Sequence, residues 1–113
     1  MNTYEHHEML DAAIRLILED GRITISVTGE EISISLPRTR RLAEHLGIPH
    51  YYVLPHFAAM EKDGLIRRAE RVGISTTKKG TDAIVSIIDQ RYAGIFSERF
   101  PKKIIDLLRE PPR

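Results

Sequence analysis

The chain predicts a mainly α-helical fold with a small antiparallel β component, an α+β arrangement built as one domain over residues 1 to 113. Three features point there. Apolar residues recur with a period near 3.6 in several segments, they switch to a period of two around residues 22 to 36, and glycine or proline punctuates nearly every change of pattern. A chain of 113 residues with 42% hydrophobic content is long enough to bury one core without staples.

The first helix is read over "YEHHEMLDAAIRLILEDG", where Leu10, Ala13, Ile14, Ile17 and Leu18 fall on one stripe and Gly21 follows as a stop. In "RITISVTGEEISISLP" the apolar residues Ile23, Ile25 and Val27 alternate with polar ones, as do Ile32, Ile34 and Leu36. A two-residue loop at Gly29-Glu30 pairs Val27 with Ile32, Ile25 with Ile34 and Ile23 with Leu36, all on one face; a four-residue loop keeps the same pairs. Pro37 suits the first position of a helix, where a missing N–H costs nothing, so a second helix is expected from Pro37 to Leu46 with Leu42, Ala43 and Leu46 inward. Gly47 closes it.

A third helix follows from Pro49, carrying Val53, Phe57 and Met60 at i, i+4 and i+7 and ending at Gly64. "LIRRAERVGISTT" reads as two short strands around a tip at Glu70 to Val72. A helix from Lys78 to Tyr92 comes next, with Ile84, Ile87 and Ile88 inward, then a short amphipathic helix from Pro101 and a frayed tail "PPR".

Composition removes several function classes. With no cysteine there is no disulfide framework, no thiolate zinc site and no cysteine nucleophile. No apolar run approaches the roughly 18 residues of a membrane span, and "MNTYEHHEML" is acidic where a signal peptide is basic, so a soluble cytoplasmic chain with no membrane partner is expected. The histidines His6, His7, His45, His50 and His56 form no HExxH pair and are expected as surface or boundary side chains. The carboxylates are scattered, "TGEE" is accounted for by its hairpin, and "TKKGT" lacks the glycine-rich loop of a phosphate cradle. No enzyme activity, metal or cofactor is expected. Nothing in the sequence names a ligand for a pocket between the first helix and the C-terminal helices.

The charge of +1 hides an asymmetry. Residues 1 to 36 carry two basic and seven acidic side chains, residues 37 to 80 nine and four, and residues 81 to 113 six and five. The middle third is the basic part.

That third also carries a resemblance. The "LAEHLGI" segment with its short glycine turn, the "MEKDGLI" end of the third helix and the "TTKKGTDAI" start of the next one resemble the winged helix-turn-helix family, in particular small MarR- and PadR-like regulators of bacteria and archaea. The resemblance covers residues 37 to 92. It implies that Ala43 and Gly47 sit at the helix contact and turn, that Val53 plugs the core, that Pro49 to Pro55 face the major groove, and that Leu65 to Thr77 form the wing. Residues Ile32 to Leu36 match the strand such proteins place before the second helix, and Arg22 to Thr28 are an added edge. The implied function is double-stranded DNA binding by a transcriptional regulator.

The physics of a DNA reader stands apart from the likeness. Lys and Arg contacts to phosphate supply most non-specific affinity and need not lie on the helix that reads bases. Arg38, Arg40 and Arg41 crowd the start of the second helix, Arg67, Arg68 and Arg71 ride the second hairpin, and Lys78 and Lys79 stand at its exit. The competing use is a solvated surface with Glu44, Glu61 and Glu70 as partners.

Pro55 lies inside the third helix, where its ring meets the carbonyl of Tyr51. The apolar phase runs through it without a slip, which favours one kinked helix over a break. The outer face then offers His50, Tyr51, Leu54 and Pro55, without the Arg, Lys, Asn or Gln side chains that make bidentate base contacts. Base reading is expected to be weak, and the same face suits a protein partner through Tyr51, Tyr52, Leu54 and Pro55; Tyr52 and Leu54 have packing on the first helix or on a dimer mate as an alternative use. A homodimer is expected, because one short helix reads too few base pairs. The apolar residues Ile84, Ile87, Ile88, Ile95, Phe96, Ile104, Ile105, Leu107 and Leu108 serve either the mate surface or the molecule's own core.

Overall fold

Helix α1 (Thr3–Asp20) is apolar around most of its circumference, and four later helical segments, within 39–46, 50–62, 78–87 and 93–99, pack on it. The expected stripe is buried, but so are Met9, Ala12 and Leu16, because helices pack on more than one side of α1. The fold is that of a computed structural model, which describes residues 3–69 and 73–109. The expected hairpin tip at Glu70 to Val72, with Arg71, and the tail at 111–113 lie outside the described residues.

Strands β1 (Ile25–Thr28) and β2 (Glu31–Ile34) pair antiparallel with Ile25 opposite Ile34 and Val27 opposite Ile32, across a two-residue loop at Gly29-Glu30. The third expected pair, Ile23 with Leu36, does not form. Ser35 N–H closes this ladder on Thr24 O at 2.9 Å, and Leu36 N–H turns instead to Ile74 O at 2.9 Å in the second hairpin. That hairpin is β3 (Ile66–Ala69) against β4 (Gly73–Thr76), and a Ser35–Ser75 bridge joins it to the first. Ile32 and Ile34 are therefore buried, whereas β1 lies at the edge, where Ile25 packs partly against the core and Val27 is 45% exposed.

Helix α2 (Thr39–Leu46) begins two residues later than expected. The hydrogen bond at Leu36 keeps the chain extended, and Arg38, with ψ 149°, becomes the residue before the first turn. Gly47, at φ 69°, ends the helix with Ile48 N–H on Ala43 O at 3.1 Å, a reversal that suits glycine. Helix α3 (His50–Lys62) starts one residue after Pro49 and runs unbroken through Pro55, so the alternative of a break there is excluded. Val53, Phe57 and Met60 are fully buried, and 3.6-residue phasing keeps all three on one side.

Helix α4 (Lys78–Ile87) is capped by Thr77, whose Oγ1 accepts from Gly80 N–H at 3.2 Å. Gly80 has a packing reason the sequence did not disclose. A Cβ there would lie 1.9 Å from the Leu65 carbonyl oxygen, so only glycine lets α4 approach the end of α3. Two buried threonines tie the layers. Ile34 N–H donates to Thr76 Oγ1 at 2.8 Å, and Thr81 donates to Ile32 O at 2.7 Å. With its proton so used, Thr81 accepts from Thr76 across their 2.7 Å contact.

The helical course does not stop at Tyr92. A π turn (Ile88–Tyr92) leads into α5 (Ala93–Arg99), and α6 (Lys102–Arg109) follows. Ile84, Ile87, Ile88, Phe96 and Leu108 fill the molecule's own core, Ile104, Ile105 and Leu107 pack partly against it, and Ile95 is 48% exposed. Among the described residues, no helix is long and apolar enough to cross a membrane.

Candidate nucleic-acid interface

Burying Val53, Phe57 and Met60 turns the opposite side of α3 to solvent. Tyr51, Tyr52 and Leu54 are 63%, 53% and 39% exposed, and the two tyrosine rings lean on each other with centroids 4.4 Å apart. The alternative expected for Tyr52 and Leu54, packing on the first helix, is not what the fold does. His50 is half-buried at the start of α3, with Nε2 2.7 Å from Thr39 Oγ1 at the start of α2.

These two helix starts form one wall of a groove of about 470 Å³. Arg38, Thr39, Arg40 and His50 line that wall, Ser35 and Leu36 line its base, and the second hairpin closes the other side through Ala69, Gly73 and Ile74. Arg38 and Arg40 are exposed, and neither has a carboxylate within ion-pair distance among the described residues. The groove thus presents two uncompensated guanidiniums beside an imidazole, donors that match the oxygens of a phosphate.

The other expected cations go elsewhere. Arg41 is ion-paired with Asp20 at the end of α1. Arg67 and Arg68 are neighbours on a strand and so point to opposite faces. Arg67 reaches Glu31 at 2.7 Å, and Arg68 reaches Glu61 on α3 at 2.8 Å through Nη2 and 3.1 Å through Nε. The hydrogen bond from Arg68 holds the Glu61 carboxyl below its ordinary range. Lys78 meets Asp82 at 3.3 Å, and Lys79 donates to Asp63 O at 3.0 Å. Glu61 is a partner the sequence anticipated; Glu44 has no ion pair among the described residues.

Three arrangements escaped the sequence reading. Thr39 acquires a role only when α3 brings His50 beside it. His6, expected at the surface or a boundary, is buried, with Nε2 2.6 Å from Asp63 Oδ2, and that bond holds the Asp63 carboxyl below its usual range. Asp11 is buried under Arg15, Arg91 and Tyr92, and burial, then its hydrogen bond to Asp11, pushes the Tyr92 phenol up. Among the described residues, no group of three or more His, Cys, Asp or Glu side chains is placed to hold a metal ion. No family model, curated protein or solved structure matches the chain.

Proposed function

We propose that the chain is a winged helix-turn-helix protein that binds double-stranded DNA, acting in the cytoplasm as a transcriptional regulator and as a homodimer, without a cofactor. The order of elements supports the fold reading: α2, a glycine turn and α3, then the β3–β4 hairpin standing as a wing. The observation that carries the function is the groove where Arg38 and Arg40, without carboxylate partners among the described residues, stand with His50 between the two helix starts and the hairpin. In this reading a backbone phosphate lies against those groups and α3 enters the major groove.

Arg41, Arg67, Arg68, Arg71, Lys78 and Lys79 then have a secondary part. Exposed ion pairs are worth only about 0.2–1 kcal/mol, so phosphate can exchange for the carboxylates that hold Arg67 and Arg68. Tyr51 and Leu54 offer apolar contact and one hydroxyl to base edges, which gives little sequence discrimination.

The exposed Tyr51–Tyr52–Leu54 face favours a second reading, a protein-docking module that uses the same fold. Titration of arbitrary duplex DNA at low salt separates the two. The DNA reading expects dissociation constants of about 1–100 μM at physiological salt and tighter binding as salt is lowered, and expects Arg38→Glu with Arg40→Glu to abolish binding. Absent binding, or binding that survives the double reversal, puts the docking module ahead.

A further inference from the structure

A cavity of about 450 Å³, within the usual size of small-molecule sites, is lined by α1, the α2–α3 turn, α3 and the π turn. One stripe of α1 supplies Glu8, Asp11 and Arg15, at i, i+3 and i+7, and the π turn supplies Arg91. Short π segments inside helices are frequent at functional sites. Here the π turn delivers two consecutive residues to one carboxylate: Arg91 Nη1 lies 3.3 Å and Tyr92 OH 2.8 Å from Asp11 Oδ1, while Arg15 Nε lies 3.2 Å from Oδ2.

Asp11 is buried, so its carboxylate acts as a clamp that fixes two guanidiniums at the rim. Each commits one N–H to it, and a guanidinium has five. The Arg15 and Arg91 side chains remain 45% and 54% exposed, with the other donors open. Glu8 is exposed and has no ion-pair partner among the described residues. Apolar contact comes from Met9 and, across the α2–α3 turn, from Leu46 and Ile48.

A simple anion in this cavity would face Glu8, and a simple cation would face two guanidiniums. A molecule that carries both charges next to an apolar body satisfies both. We infer that this cavity is a binding site for a small apolar zwitterion, namely a free α-amino acid. The carboxylate sits on Arg15 and Arg91, the ammonium on Glu8, and the side chain on the Met9, Leu46 and Ile48 surface. The inference is independent of DNA binding.

Calorimetric titration of the full chain tests it with L-leucine, L-methionine and L-phenylalanine. The controls are 4-methylpentanoate, which is leucine without its amine, and isopentylamine, which lacks the carboxylate. At least one amino acid is expected to bind, and for leucine each control is expected to be weaker by about tenfold or more, the worth of one charged hydrogen bond. Glu8→Gln, an exposed change that leaves the thermal midpoint in place, should erase the preference for leucine over 4-methylpentanoate. Arg91→Gln should weaken both. The assignment is overturned if none of the three amino acids binds at millimolar concentration, if 4-methylpentanoate binds the unaltered chain as tightly as leucine, or if Glu8→Gln leaves the preference intact.

Discussion

Thr39 Oγ1 and His50 Nε2 stand 2.7 Å apart, so the first residue of α2 is hydrogen-bonded to the first residue of α3. The bond crosses the wall of the arginine groove and fixes the imidazole between Arg38, Arg40 and the hairpin. His50→Ala removes the ring and leaves the hydroxyl without its partner. Stability should fall by about 1 kcal/mol, and affinity for arbitrary duplex by a comparable factor, about three- to tenfold. Urea unfolding and an anisotropy titration read the two effects separately.

Arg67 and Arg68 are held by Glu31 and Glu61. In the DNA reading these carboxylates compete with phosphate. Glu31→Gln and Glu61→Gln should therefore tighten duplex binding, and each freed arginine that meets a phosphate should steepen the log–log salt dependence by about 0.9. Unchanged affinity in both variants would place the hairpin arginines outside the interface.

The Thr76–Thr81 pair is buried and uses every proton it has. Thr81→Val keeps the shape but leaves the Ile32 carbonyl without its donor and the Thr76 proton without its acceptor, while Ile34 N–H still donates to Thr76 Oγ1. The expected loss is about 2 kcal/mol in urea unfolding, with the salt slope of DNA binding unaltered.

The Asp63 carboxyl is held below its ordinary range, first by the hydrogen bond from His6. The folded chain thus takes up that proton less readily than the unfolded one. The resulting stability is fully present above the unfolded carboxylate value of about 4 and is lost as pH falls through the lower folded value. Asp63→Asn should lower the thermal midpoint at neutral pH, and the gap should close in acid. A gap that stays constant down to about pH 2 would contradict this account of the pair.

Much of the fold was legible because it rests on local periodicity. The pairs Ile25–Ile34 and Val27–Ile32 follow from alternation and a two-residue turn, and Val53, Phe57 and Met60 follow from helical phase even across Pro55. What failed was decided by partners distant in the chain. Leu36 bonds to Ile74 rather than facing Ile23, and that bond delays α2 to Thr39. The second buried side of α1 exists because the C-terminal helices return to it, and a π turn, invisible to a 3.6-residue pattern, sets both Arg91 and Tyr92 on Asp11. At the candidate interface the concentration of arginines was readable, but its division was not. Strand alternation separates Arg67 from Arg68, α1 takes Arg41, and Arg38 and Arg40 are left in the groove.

The salt dependence of duplex binding is the most direct measure of the central claim. With Arg38 and Arg40 on phosphates and some of the paired cations recruited, log K against log salt should fall with a slope between about −2 and −5, and the slope should flatten by about 2 when both arginines become alanine. A slope near zero, or one that the double substitution leaves unaltered, would contradict the account.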